Sequence, residues 1–528
     1  LELDELDVNA ITPTQLRRYL RDKYVIVVSN RGPVEFRRDE EGKMRTYRGA
    51  GGLVTAMGTA LVATDAVWIS PARSRGDEEM ALSTPGGKIG LPRENPQYWV
   101  KFITPNREQF HLYYNIISNS LLWFLQHYMM DLTHEPVIDR EIHRAWNEGY
   151  RKVNQLFADE VLREIRSTNK KPLVFLQDYH LYLCAHYIRK KAPDVLIHHF
   201  THSPWIQPDY LRLLPSRMRK ELMQGMLAND VLGFHTHRYA ANFLQCCQEA
   251  DVVRVSVNLK RRSVYYDGRE ILIRHYPISI DHEALERLAQ REDVHLHRQK
   301  IRNLAKERRL IIRVDRIEPS KNILRGLKAY ELFLGQFPRW REKVIFLLFL
   351  YPSREDLKAY RDYRRSIEET TRHINQAFGT LYWQPVYLDI EDNYPRSVAG
   401  LMEFDVLMVN PVFDGMNLIS KEGALLNQRD GVILLSMNTG AYSELKGSVL
   451  PLNPLDIWET AQLIDRALSL PYKKRQSMAR KARERVKENS SFTWLLRQIQ
   501  NLRKVEKLRE EASSLKSSLD LASWIRQI

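Results

Sequence analysis

Residues 24–33 read YVIVVS and then Asn30-Arg31-Gly32-Pro33. An unbroken run of β-branched residues has no polar face to show to water, so it predicts a strand buried on both sides. The run stops at turn-forming residues, which mark the strand's C-terminal end. Strands of this kind belong to parallel sheets covered by helices, and the rest of the chain repeats the pattern. Further apolar runs occupy residues 173–176, 195–200, 231–234 and 271–278, and a second series occupies 310–314, 344–350, 406–409 and 432–435. Amphipathic stretches separate them, and residues 53–63, after a glycine loop, read as a helix. A charged, helix-prone segment over 282–309 lies between the two series, and the chain after 490 has a helical pattern without strand signals. The expected architecture is α/β: a Rossmann-like, doubly wound lobe over 1–285, a second over 286–490, a ligand cleft between them, and a helical tail over 491–528.

Composition limits the function classes. The 528 residues are 44% hydrophobic and 27% charged, enough apolar surface for two large cores and too little charge imbalance for disorder. The 80 Lys and Arg against 65 Asp and Glu give a net charge of +15. That excess fits a solvated surface, a nucleic-acid surface or a site for phosphorylated small molecules. Much of it lies in residues 472–507, where apolar residues recur at helical spacing, so the charges read as the wet face of helices. No helix-turn-helix, zinc-finger or RNA-binding signature accompanies it, and nucleic acid is not an expected partner. The cysteines, Cys184, Cys246 and Cys247, suit neither a disulfide framework nor a zinc site. No run approaches the ~18 apolar residues of a membrane span. The acidic start has no signal-peptide pattern, and the lack of an initiator Met reads as trimming or a tag scar, so a cytoplasmic location is expected.

Six short stretches carry the chemistry. Arg31 follows the first strand, where doubly wound sheets bind ligands, and its guanidinium can fork onto a phosphate. Gly49-Ala50-Gly51-Gly52 lets backbone approach a diphosphate, although Val54 stands where a Rossmann fingerprint has its third glycine. Asp178 and His202 close the strands at 173–176 and 195–200 and can converge on sugar hydroxyls. Arg316 and Lys321, at a strand-to-helix turn, suit a pyrophosphate leaving group. Asp414-Gly415-Met416-Asn417-Leu418 opens a helix, and Glu422 can accept hydrogen bonds from ribose. Ser353-Arg354 offers another phosphate-binding arginine at a strand end. Each stretch alone also fits an ordinary turn or capped helix start. No HExxH, Gly-x-Ser-x-Gly or Walker A motif occurs. Nor does an Asp-x-Asp triplet, the metal holder of single-lobed, metal-dependent glycosyltransferases.

Taken in order, from residue 24 to 494, these stretches resemble the trehalose-6-phosphate synthase family (glycosyltransferase family 20), whose members are retaining, two-lobed GT-B enzymes. The matches are Ser29–Arg31, Gly51–Leu53, Tyr113–Asn115 with Trp123, Gln177–His180, Tyr276–Ile278, Arg316–Lys321, Ser353–Arg354, Asp414–Glu422 and Ser436 through Gly440 to Leu445. The resemblance implies that Arg31, Tyr114, Trp123, Asp178 and Arg354 hold an acceptor sugar phosphate. Gly51, Gly52, Arg316, Lys321, Asn417, Leu418 and Glu422 would hold a nucleotide-glucose donor. Arg316, Lys321, Asp178, His202 and Asp414 would form the catalytic set, with no metal and no cofactor. The implied reaction transfers glucose to glucose 6-phosphate and gives trehalose 6-phosphate.

The chain also departs from the family pattern. Trp68-Ile-Ser-Pro-Ala-Arg73 replaces Trp-Phe-Gly-Trp-Ser-Gly, and Gln177 replaces the first His of His-Asp-Tyr-His. His202-Ser-Pro-Trp-Ile replaces His-Ile-Pro-Phe-Pro, and Glu318-Pro319 precedes Ser320-Lys321 in place of Asp-Tyr. Several of these changes, with the run 426–430, resemble validoxylamine-type pseudo-glycosyltransferases, which couple cyclitols through nitrogen. A transferase with a cyclitol or polyol phosphate acceptor is therefore one alternative, and a non-catalytic sugar-phosphate sensor is another. The tail can cross back to the first lobe or pair with a second copy of the chain.

Overall fold

The computed structural model describes residues 11–48 and 66–525, so Gly51, Gly52 and the helix expected over 53–63 lie outside the described residues. The chain forms two compact units, Leu1–Tyr276 with Phe492–Ile528, and Pro277–Ser491. The helix His282–Ala289, placed by its sequence position at the junction of the expected lobes, belongs to the second unit. The apolar side of that helix, Leu285 and Ala289, is buried, and its neighbours are the helices Tyr394–Glu403 and Leu418–Leu426.

The first unit is built on a ten-stranded sheet. Seven of its strands run parallel in the spatial order Tyr98–Ile103, Ala66–Pro71, Lys23–Val28, Lys171–Gln177, Leu196–Thr201, Val231–Phe234, Arg269–His275. Antiparallel strands finish both edges: Ile89–Leu91 on one, Ser263–Tyr266 and Ser256–Asn258 on the other. The first strand is buried at every position, as its run of β-branched residues dictates. Each such Val or Ile contributes about 1.5–3 kcal/mol by leaving water. Chain order reverses direction across the sheet between Lys23–Val28 and Lys171–Gln177, which is the topological switch point where ligands bind in doubly wound sheets.

The tail helix Ser491–Ile525 is part of this first unit beyond its opening residue. Trp494 is buried and meets the Phe200 ring edge-on at 5.0 Å. Farther along, Glu506 pairs with Lys23 at the start of the first strand, Asn501 accepts from Arg274, and Arg509 pairs with the buried Asp230.

The second unit contains a six-stranded, fully parallel sheet in the spatial order Val386–Ile390, Val344–Tyr351, Arg309–Arg316, Val406–Val409, Val432–Ser436, Leu450–Leu452. Numbered along the chain this is 3-2-1-4-5-6, the Rossmann order, with its switch point between Arg309–Arg316 and Val406–Val409. Much of the basic stretch after 472 is engaged within the same unit: Arg475 with Asp405, Arg480 with Glu484, Arg483 with the Asn427 carbonyl and Arg485 with the Glu444 carbonyl.

Candidate active site

In the first unit, residues converge at the switch point. Ser29 sits at the end of the first strand, donates to the Arg31 carbonyl at 2.7 Å and accepts from the Trp68 indole at 2.7 Å. A Cβ on Gly32 would lie 2.6 Å from Ser70 Oγ, so glycine lets this turn close on the neighbouring strand. Arg31 is left exposed at the rim. Asn30 accepts from the Tyr113 hydroxyl at 3.0 Å, which brings the following residue, Tyr114, to the same strand ends. The Tyr114 ring lies parallel to that of His180, 6.0 Å between centroids, and to that of Phe110 at 5.3 Å.

The helix carrying these tyrosines runs in π register over His111–Leu122, with the Trp123 N–H donating to the Ser118 carbonyl. A second π segment, Ala145–Tyr150, packs against it. Gly149 makes that approach possible, since a Cβ there would lie 2.5 Å from Leu112 Cβ and 2.6 Å from the Tyr113 nitrogen. π-register turns cluster at functional sites because they re-aim side chains, and nothing in the sequence signals them. Trp123 is 3% exposed, stacked on His127 at 4.3 Å, so it is part of the core beneath the site more than of its surface.

Asp178 is the strained residue of this site. Its φ of 68° with ψ of 177° is a conformation normally left to glycine. The strain aims its carboxylate at the next strand end, where Oδ1 accepts from the backbone N–H groups of His202 at 3.0 Å and Ser203 at 3.2 Å. Burial pushes the Asp178 carboxyl up to about 6, opposed by these backbone donors. His202 Nε2 lies 2.9 Å from Oε1 of the buried Gln177. Burial holds His202 neutral, with its pKa pushed down to about 3.

In the second unit, the loops after strands Arg309–Arg316 and Val406–Val409 are laced together. The Val412 N–H donates to the Ser320 carbonyl at 2.8 Å, and Asn322 Nδ2 donates to the Asn410 carbonyl at 2.9 Å. The fully buried Arg313 donates to Asn410 and to the Lys321 carbonyl and pairs with Asp315 at 2.9 Å. Lys321 Nζ lies 2.6 Å from Asp414 Oδ2. Burial alone would lower the Lys321 pKa, but Asp414, Asp315 and Glu318 outweigh it and raise it, so the ammonium is held charged. Asn417, with φ 74°, caps the helix Leu418–Leu426 by accepting from the Ser420 N–H and donates to Asp414 at 3.1 Å. The helix therefore presents Leu418 and its N-terminal end beside a fixed carboxylate–ammonium pair. Gly415 is closely backed: a Cβ on Gly440 would stand 2.1 Å from the Gly415 carbonyl oxygen.

Glu422 is buried, and its Oε2 has no hydrogen-bond partner among the described residues. Burial pushes its carboxyl up to about 7, opposed by a hydrogen bond from the Tyr394 hydroxyl. A buried carboxylate oxygen of this kind is open to a hydrogen-bond donor on a bound ligand. Its neighbour Lys421 is structural, donating to the Ile278 carbonyl and to both oxygens of Glu444. Arg316 is exposed, 3.4 Å from Glu318, which also accepts from Ser353 at 3.1 Å. Arg354, with φ 45°, lies over the Tyr360 ring. Arg316 and Arg354 thus leave neighbouring parallel strands of one unit, although the resemblance puts them on different substrates.

The structure therefore gathers Arg31, Tyr114, Asp178 and His202 at one switch point. It gathers Arg316, Lys321, Arg354, Asp414, Asn417, Leu418 and Glu422 at the other. Gly51 and Gly52 lie outside the described residues. Arg313, Asp315, Asn410 and Tyr394 escape sequence reasoning, because what marks them is a contact with residues far along the chain.

The glycosyltransferase family 20 model matches residues 23–504. The Kluyveromyces lactis 56 kDa subunit of UDP-forming α,α-trehalose-phosphate synthase is 32% identical over 480 residues, which is 89% of this chain and 93% of that protein. A trehalose-6-phosphate structure from E. coli, bound with UDP-2-fluoro glucose, superposes with a TM-score of 0.77 at 27% identity, covering 91% of this chain and 98% of that one. The UDP-forming α,α-trehalose-phosphate synthase of Burkholderia xenovorans, in complex with glucose-6-phosphate, gives 0.77 at 26% identity, covering 91% and 100%. Matches of this length, on both Rossmann-like units, place the chain in glycosyltransferase family 20, the trehalose-6-phosphate synthase family of GT-B glycosyltransferases.

Proposed function

We propose that the protein transfers glucose from UDP-glucose to glucose 6-phosphate, with retention of configuration, and releases UDP and trehalose 6-phosphate. The observation that carries this reading is the Lys321–Asp414 pair at the second unit's switch point, set beside Arg316, the helix N-terminus at Leu418 and the unsatisfied Glu422. That grouping suits a nucleotide sugar: cations and N–H groups for the diphosphate, a carboxylate for the ribose hydroxyls, and Asp414 for the sugar. Arg31, Tyr114 and Asp178 supply the first unit's counterpart for an anionic sugar, with Arg354 as a further phosphate ligand.

The chemistry follows from those charges. The bond from the anomeric carbon to the diphosphate oxygen breaks, and charge builds on that oxygen. Arg316 and Lys321 stabilise it where it develops. The acceptor hydroxyl attacks from the same face and gives its proton to the departing phosphate oxygen, so no enzymic nucleophile is required. Asp178 and the neutral His202 orient the sugar hydroxyls. No metal takes part in this scheme. The test is nucleoside diphosphate release in EDTA with UDP-, ADP- or GDP-glucose, with and without glucose 6-phosphate. Release with UDP-glucose only when glucose 6-phosphate is added is the expected result. The changes at Pro71 and Gln177 support a second reading, another phosphorylated acceptor, which gains weight if cyclitol or polyol phosphates outcompete glucose 6-phosphate in that assay.

A further inference from the structure

We propose that Arg73 is a specificity-determining residue of the acceptor site, a further guanidinium, beside Arg31, for the phosphate of the acceptor sugar; this rests on the sugar-phosphate reading above. The residue lies two positions past the strand Ala66–Pro71, beside the strand that ends at Ser29-Asn30-Arg31. Its guanidinium carbon stands 5.1 Å from the centre of the Tyr114 ring. It forms no ion pair among the described residues and is exposed. A surface arginine normally wanders, yet this one has a fixed root. The Ala72 N–H donates to the Ile103 carbonyl at 2.9 Å, and the N–H groups of Arg73 and Ser74 donate to Asp77 Oδ2 at 2.9 and 3.2 Å. Asp77 is 1% exposed, and its other oxygen accepts from the Phe36 N–H at 2.7 Å, so this carboxylate is occupied by backbone donors.

An unpaired guanidinium with a pinned backbone, resting on an aromatic face, is preorganised for an anion, because little freedom remains to be lost on binding. Arg31 and Arg73 leave adjacent parallel strand ends, and Tyr114 links them through the Tyr113–Asn30 hydrogen bond and its own ring. Two guanidinium groups on one rim favour a dianion over a neutral hydroxyl. The inference is that this rim selects a phosphorylated sugar and rejects the free sugar, with Arg73 supplying a large share of the discrimination.

The test compares the wild type, Arg73→Gln and, as a control for net charge, Arg75→Gln, an exposed arginine on the following helix. Arg73→Gln is expected to raise KM for glucose 6-phosphate about 10-fold to 100-fold, the loss of one or two charge-assisted hydrogen bonds, with a much smaller effect on kcat and on KM for UDP-glucose. Arg75→Gln is expected to stay within about twofold. Calorimetric titration with glucose 6-phosphate and with glucose keeps the result separate from the reaction itself. If the wild type binds glucose 6-phosphate but turns over no nucleotide glucose, the functional reading fails, and a weaker Kd in Arg73→Gln still upholds the assignment of Arg73. A KM and Kd for glucose 6-phosphate unchanged by Arg73→Gln overturn it, as does wild-type affinity for glucose equal to that for glucose 6-phosphate.

Discussion

In the proposed reaction, Arg316 and Glu422 are the side chains set to meet the diphosphate and the ribose. Arg316 is exposed, and among the described residues its ion-pair partner is Glu318, so Arg316→Gln costs little stability. In the proposed reaction its loss removes a cation for the leaving diphosphate, and kcat is expected to fall about 10²–10³-fold, as for other single donors at developing charge. Steady-state kinetics on a variant with an unchanged thermal midpoint checks this. Glu422 must be ionised to accept two ribose hydrogen bonds, yet burial raises its carboxyl to about 7. Apparent affinity for the donor should therefore fall as pH drops through about 7, and Glu422→Gln should bind more weakly but with that limb of the profile flattened. A pH series of kcat/KM for UDP-glucose reads it directly. At this scale the sequence is informative about place wherever a residue stands at or just past its own strand end, as Arg31, Asp178 and Lys321 do. It is silent where the role lies in a pairing: Arg313 reads as one more charge in an apolar strand, and only the fold reveals that it clamps Asn410 and the Lys321 carbonyl.

The elements position these residues through a few close approaches. Gly149→Ala forces two helices in π register apart, because the new Cβ would meet Leu112 and the backbone at Tyr113. The expected cost is about 1–3 kcal/mol of stability, together with a raised KM for the sugar phosphate as Tyr113 and Tyr114 shift. Thermal melts and acceptor titrations check both parts, and a KM change without any stability loss would speak against the packing argument. Doubly buried strands are legible from sequence, since runs such as residues 24–28 and 344–350 are apolar throughout, of strand length and rich in β-branched or aromatic residues. Strands that are buried on one side or lie at an edge are not. Tyr98–Ile103 interrupts its apolar run with Lys101, whose ammonium is neutralised by Glu160 and Glu164 on a helix sixty residues away, and Val386–Ile390 is only half-buried along most of its length. The π segments leave no trace in the sequence at all, because their hydrogen-bond shift reflects the packing of one helix on another.

Across the whole molecule, the same switch-point geometry is used twice, and the 3-2-1-4-5-6 order that creates it follows from long-range pairing that no local pattern reports. The scaffold also has a pH signature. His198, His199 and His202 are held neutral in the first unit, with pKa values pushed down to about 3 by burial. Each takes up a proton on unfolding, so their stabilising effect is complete above the ordinary value of 6.5 and is lost as pH falls from there towards 3. Asp178, raised to about 6, acts in the opposite sense: its contribution is present at low pH and fades as pH rises from 3.8 towards 6. Denaturation of the first unit should accordingly become easier on acidification, most steeply below about pH 4, where Asp178 no longer offsets the histidines. Among the described residues His198 has no hydrogen-bond partner for either ring nitrogen, so His198→Phe should remove about 1.4 kcal/mol per pH unit from that slope without losing a bond to them. An unchanged slope in denaturant titrations at several pH values would refute this. The central claim, retaining transfer to glucose 6-phosphate, is tested most directly by NMR of the product formed from UDP-glucose and glucose 6-phosphate labelled with ¹³C at its anomeric carbon. The account predicts a single disaccharide phosphate with both anomeric centres α and joined to each other. Glucose formed by hydrolysis alone, a β centre at the transferred sugar, or transfer to any other position of the acceptor would contradict it.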